Sequence, residues 1–93
     1  MTRARLLFDG GAYASSTAAV VGNGGTLGLG PYRIPNVTVD AYGVFTNNPP
    51  CGAMRGFGAV QACFGYESQM DRLAAELGLD PVELRVRNAL TTG

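Results

Sequence analysis

The sequence predicts a mixed α/β segment whose elements run strand, helix, loop, strand, loop, long helix, helix. Three observations predict it. Residues 36–46 alternate with period two, Val37, Val39, Ala41, Gly43 and Phe45 against Thr38, Asp40, Tyr42, Val44 and Thr46, which is the spacing of a strand. From residue 58 the period changes to steps of three and four, the spacing of a helix face. Asp80-Pro81-Val82-Glu83 then carries the start signal of one more helix.

Each element has its own local reason. Residues 4–8 form a short apolar strand, stopped by Asp9-Gly10-Gly11. Residues 15–22 are small and apolar, and Ser15 or Ser16 is placed to cap a short helix. The run from Gly22 to Pro31 reads either as that helix's end or as an irregular loop that leaves room for a ligand. Asn47-Asn48-Pro49-Pro50 breaks the second strand and opens a loop that carries Arg55. Val60, Cys63, Phe64, Glu67, Met70, Leu73, Ala74 and Leu77 then share one face of a helix over 58–77, apolar except for Glu67. Gly78 ends it as a glycine past the last turn. Asp80 caps the last helix, Pro81 takes its first position, Glu83 resembles the far half of a capping box, and Val82, Val86 and Ala89 are its expected buried stripe.

Composition excludes several functions. Seven basic and seven acidic side chains cancel, so the chain lacks the positive field that nucleic acid or an anionic membrane surface needs. No apolar stretch reaches membrane-spanning length. There is no histidine, and Cys51 and Cys63 fit no metal-ligand spacing, so zinc sites and histidine-based catalysis are not expected. Nothing in the first residues looks like a secretion signal, and a cytoplasmic chain with reduced thiols is expected. Fourteen glycines, about twice the usual share, raise the entropy cost of folding. The 93 residues read as a single segment of a larger active-site architecture, without repeat or linker.

Gly52-Ala53-Met54-Arg55-Gly56-Phe57-Gly58 carries the chemistry. It sets one large cation and one aromatic between glycines directly before the long helix. Glycine lets backbone approach a ligand closely, and N–H groups at a helix start favour anionic oxygen. An aromatic held there can stack on a flat ring. The plainer reading is a tight helix-starting turn with Phe57 in the core. The glycines at 22–30 do not match a dinucleotide fingerprint, because Leu27 and Arg33 stand where a third glycine is required. Arg55 to Val60 overlaps an RNA-recognition signature but supplies one stacking ring, with Ala59 and Ala62 where aromatics belong. Glu67, on the apolar stripe, is expected to be partly buried and paired with an arginine such as Arg55 or Arg33. No carboxylate reads as a general base.

An ordered set of pieces resembles one family. It comprises Asp9-Gly10-Gly11-Ala12-Tyr13, Gly30-Pro31-Tyr32-Arg33-Ile34-Pro35-Asn36-Val37, Thr46-Asn47, Gly52 to Gln61, Glu67, Met70 to Ala74, Asp80 to Arg85, and Arg87-Asn88. Together they are similar to the molybdenum-binding subunit of the xanthine dehydrogenase and aldehyde oxidase family, over essentially the whole chain. Met54 before the turn and Gln61 after it look most like the bacterial xanthine dehydrogenases.

The resemblance implies a segment, 1–93, of a molybdopterin-binding domain. Enzymes of that family hydroxylate an aldehyde carbon or a carbon next to nitrogen with oxygen from water, and pass electrons through molybdopterin, iron–sulfur clusters and FAD. It implies that Arg55 and Gly56 approach the molybdenum cofactor through a backbone N–H, and that Phe57 stacks on a planar heterocycle or aldehyde substrate. Asn23 falls where the family varies its substrate pocket, close to the place of a purine-binding arginine in the animal xanthine enzymes, which this chain lacks. The resemblance also implies that the glutamate base, other cofactor-binding loops and the iron–sulfur and FAD partners lie outside these residues, so the chain is not expected to turn over alone. The competing expectation is a small non-catalytic protein that binds a partner through the 58–77 helix face.

Overall fold

A computed structural model describes residues 1–91. The elements follow the expected order: strand β1 (Thr2–Asp9), helix α1 (Thr17–Thr26), strand β2 (Val37–Val44), helix α2 (Ala59–Leu77) and helix α3 (Pro81–Asn88). The mixed α/β class stands. β1 and β2 form a parallel pair in register from Thr2 opposite Val37 to Asp9 opposite Val44, with α1 as the crossover between them. A parallel pair requires such a crossover, because a tight turn cannot return the chain to the same end of the sheet. β1 starts earlier than the apolar run at residues 4–8, since β2 offers partners back to Val37.

The glycine run is helical. α1 reaches Thr26 and takes in Gly22, Gly24 and Gly25, so the expected loop or helix end begins only at Leu27. Each helical glycine costs about 0.5–1 kcal/mol against alanine, and packing explains one of them. A Cβ on Gly24 would stand 2.5 Å from the Phe8 ring and 3.2 Å from the Gly58 carbonyl. The bare backbone there lets β1, α1 and the start of α2 meet.

α2 keeps the predicted bounds within a residue and ends at Gly78, whose φ is +64°. Its apolar stripe is mostly uncovered. Val60, Phe64, Leu73 and Leu77 are exposed, Phe64 by 78%, while Ala62 and Ala74 are buried. The ten-residue α1 is too short to cover the nineteen-residue α2. In α3 the expected stripe is also displaced. Leu84 is buried, whereas Val82 and Val86 face outward. Asp80 caps α3 by accepting from the N–H of Val82 at 2.9 Å and of Glu83 at 3.0 Å. Glu83 pairs with Arg87 instead of closing a capping box.

The loop after α1 is held to the C-terminal end. Arg33 N–H donates to the Asn88 carbonyl at 2.8 Å and Leu90 N–H to the Pro31 carbonyl at 2.9 Å. Among the described residues the buried apolar core is Ala62, Ala74 and Leu84 alone. The radius of gyration is 15.0 Å, against about 12 Å for a compact domain of this length. No helix is long and apolar enough to cross a membrane among the described residues.

Candidate functional site

The Met54–Gly58 turn is built from three successive residues with left-handed backbone, Gly56 at φ +100°, Phe57 at +46° and Gly58 at +90°. Left-handed backbone costs a side chain about 1–2 kcal/mol, so Phe57 is held there by its surroundings. Phe57 N–H donates to the Met54 carbonyl at 2.8 Å, and Ala59 N–H to the Gly56 carbonyl at 3.0 Å. A Cβ on Gly58 would collide with the Val20 carbonyl and stand 3.2 Å from Gly24 Cα, which seats the turn directly on α1.

The predicted site residues meet here. Asn23, in α1, donates through Nδ2 to the Gly56 carbonyl at 2.8 Å. Phe57 is 46% exposed and pairs with no other aromatic ring among the described residues. The plainer reading, with Phe57 in the core, does not hold. Arg55 is exposed and forms no ion pair among the described residues. The N–H groups of Arg55, Gly56 and Gly58 have no acceptor among the described residues. Such donors beside a helix start suit an oxygen-rich anion.

Two clefts flank the turn. Gly52 and Gln61 line one of about 450 Å³, together with Asp9, Thr17 and Cys51. Ala59 and Val60 line the other, of about 580 Å³, with Leu27, Gly30 and Tyr66. Cys51 and Cys63 are both free thiols.

The loop leading into the turn is clamped by Asp9. Its carboxylate accepts from Thr46 Oγ1 at 2.6 Å, Asn48 Nδ2 at 2.6 Å and Gly11 N–H at 2.8 Å. The Thr46 hydroxyl above all, then Gly11 and Asn48, hold the carboxyl below its ordinary value. Cys51 N–H reaches the Gly10 carbonyl at 3.2 Å and Thr46 N–H the Gly11 carbonyl at 3.0 Å. In the sequence Asp9 reads as a strand end and as part of a family-like motif, with no clamp foreseen. The available signal was Asp-Gly-Gly, an acceptor side chain followed by residues that turn.

Glu67 is paired, but neither Arg55 nor Arg33 is its partner. Tyr32 donates its hydroxyl to Oε1 at 2.7 Å and Arg85 donates Nε to Oε2 at 2.7 Å. Arg85 also pairs with Asp71 at 2.8 Å. Arg55 lies beyond the N-terminus of α2 while Arg85 sits on α3, which packs against α2. The Tyr32 hydrogen bond, followed by Arg85, outweighs partial burial and lowers the Glu67 carboxyl. Asp9 and Glu67 are therefore bonded carboxylates with weakened basicity, unsuited to general-base work.

Known proteins resemble this chain in sequence and in fold. The chain is 51% identical over 85 residues to the nicotinate dehydrogenase large molybdopterin subunit of Eubacterium barkeri, covering 91% of this chain and 20% of that one. It is 45% identical over 84 residues to a probable xanthine dehydrogenase subunit of Bacillus subtilis, covering 90% of this chain and 11% of that one. The crystal structure of the aldehyde oxidoreductase from Desulfovibrio desulfuricans superposes with a TM-score of 0.89 at 34% identity, over 96% of this chain and 10% of that one. The chain thus spans a fifth or less of the length of these relatives. The sequence model described as molybdopterin cofactor-binding domain matches residues 1–89, and the chain belongs to that family, a segment of the molybdopterin-binding domain of xanthine dehydrogenase-like hydroxylases.

Proposed function

We propose that the chain forms one wall of the molybdopterin and substrate pocket of a molybdenum-dependent hydroxylase of the xanthine dehydrogenase and aldehyde oxidase type. One observation carries the reading. The open N–H groups of Arg55 and Gly56 stand next to the half-exposed ring of Phe57, on a turn fastened to α1 by Asn23. These donors fit an anionic, oxygen-rich cofactor. When bound, that cofactor supplies the redox centre.

The chain's own residues bind and orient. Arg55 and Gly56 donate main-chain N–H to cofactor oxygen. Phe57 stacks on a planar heterocycle or aldehyde, and Asn23 shapes the substrate side while fixing the Gly56 carbonyl. Proton abstraction is left to residues outside this chain; the Asp9 and Glu67 carboxylates are committed to hydrogen bonds. The partners are the remainder of the molybdenum subunit and the subunits or domains that hold iron–sulfur clusters and FAD, in the cytoplasm, where the two thiols stay reduced. A non-catalytic protein would use the same exposed α2 face; here that face packs within the larger assembly.

Molybdenum content, measured by mass spectrometry on the tagged chain drawn natively from its host, tests the proposal. Stoichiometric molybdenum with a larger co-purifying polypeptide is expected. Absence of both metal and partner would overturn it.

A further inference from the structure

We propose that a β-strand from the molybdenum subunit outside this chain lies in the groove between β1 and α2 and pairs with β1 as a third strand. This rests on the reading of the chain as part of a larger subunit.

The backbone of β1 sets the direction. Thr2 N–H donates to the Asn36 carbonyl and Gly10 N–H to the Val44 carbonyl, each at 2.9 Å. Both bonds point to β2. A parallel ladder sends alternate residues to opposite sides, so Arg3, Arg5, Leu7 and Asp9 turn their N–H and C=O groups to the other edge. None of the four has a main-chain partner there among the described residues. β1 contains no proline that would block pairing along that edge.

The space beside that edge has the form of a strand's path. Thr2 to Leu6 line one cleft of about 390 Å³, and Arg5 to Asp9 line another of about 450 Å³. Arg5, Leu6 and Ala62 line both, so the two clefts run end to end along β1. α2 supplies the opposite wall through Gln61, Ala62, Gly65 and Gln69. Ala62 and Gly65 are small, and a Cβ on Gly65 would meet nothing within 4 Å. α2 packs on α1 and α3 instead of closing on β1, which leaves the gap open.

Its length and chemistry define the occupant. Eight residues of β1 accept a partner about 26 Å long. Apolar side chains line both clefts, Ile34, Met70 and Leu73 in one and Phe8 and Val20 in the other, and each also carries a polar one, Gln69 and Gln61. The added strand is therefore mainly apolar on the side that faces the groove, with a few polar side chains along it. A subunit of which this chain covers 20% or 11% has ample length to supply it.

Residue-resolved amide exchange by mass spectrometry on the native assembly tests this. Arg5 and Leu7 amides are expected to exchange as slowly as those of Leu6 and Phe8, roughly a hundredfold or more below open amides. Fast Arg5 and Leu7 beside slow Leu6 and Phe8 would overturn the proposal. Leu7→Pro, which removes a donor on the open edge alone, is expected to abolish co-purification with the larger polypeptide while Leu7→Ala keeps it. Retention with Leu7→Pro, or a cross-link joining β1 of two copies of this chain, would also overturn it. Molybdenum present with open Arg5 and Leu7 amides defeats the strand alone; slow amides without molybdenum defeat the cofactor reading alone.

Discussion

Asn23 and Gly56 stand 33 residues apart in sequence and share a hydrogen bond of 2.8 Å, from the side-chain amide of one to the carbonyl of the other. This bond ties the middle of α1 to the turn that presents Arg55 and Phe57. Asn23→Asp can only accept, and so sets a carboxylate against a carbonyl. It is expected to cost about 1–3 kcal/mol at a part-buried site, more than Asn23→Ala. In the native assembly, kcat/KM for a planar substrate should fall about tenfold or more for the aspartate variant. Steady-state kinetics of both variants at equal cofactor loading check the order.

Phe57 opposes backbone comfort to ring chemistry. Phe57→Gly is expected to relieve left-handed strain of about 1–2 kcal/mol, while Phe57→Ala keeps the strain and loses the ring. Both should weaken turnover of planar substrates by about tenfold, the scale of an aromatic contact. Thermal midpoints should separate them, with glycine above alanine. Unchanged kinetics in both would remove stacking from the role of Phe57.

Two glycines two positions apart predict opposite signs. Around Gly22 a Cβ meets nothing within 4 Å, so Gly22→Ala should stabilise α1 by about 0.5–1 kcal/mol. At Gly24 the Cβ would press on the Phe8 ring at 2.5 Å, and Gly24→Ala should cost about 1–3 kcal/mol through overpacking. Chemical denaturation of the native assembly distinguishes them.

The Glu67 carboxyl, lowered from its ordinary 4.5 first by Tyr32 and then by Arg85, makes stability depend on acid. A folded value below the unfolded one means the stabilisation is complete well above pH 4.5 and is lost as pH falls through the lowered value. Glu67→Gln should therefore flatten the fall in thermal midpoint on acidification below that range. An equally steep fall in the variant would assign the acid sensitivity to other groups, Asp9 first.

Local rules made much of this fold legible. The alternation at Val37–Val44 and the Asp80-Pro81 start signal needed no distant partner to be read. The glycines of α1 misled because the reason for Gly24 lies in Phe8 and Gly58, which sequence order does not place beside it. The α2 stripe had the right period, but its burial depends on how much surface the neighbours cover, and α1 covers little of it. At the site, the turn was visible from its glycines. The Asn23 bond arises from a crossover that brings distant segments together, and Glu67 drew Arg85 because α3 folds back on α2.

The Asp9 clamp bears on how tightly a ligand is held. With Thr46 and Asn48 bonded to one carboxylate and Cys51 N–H on the Gly10 carbonyl, only the few residues from Gly52 to Met54 span the gap to the turn. A short tethered span has few conformations left to lose. Most of the ordering that a guest would otherwise demand is complete at folding. Association at this wall should therefore show a small entropy penalty, and cutting the tether with Asp9→Ala should weaken affinity by making the loop settle anew at each encounter.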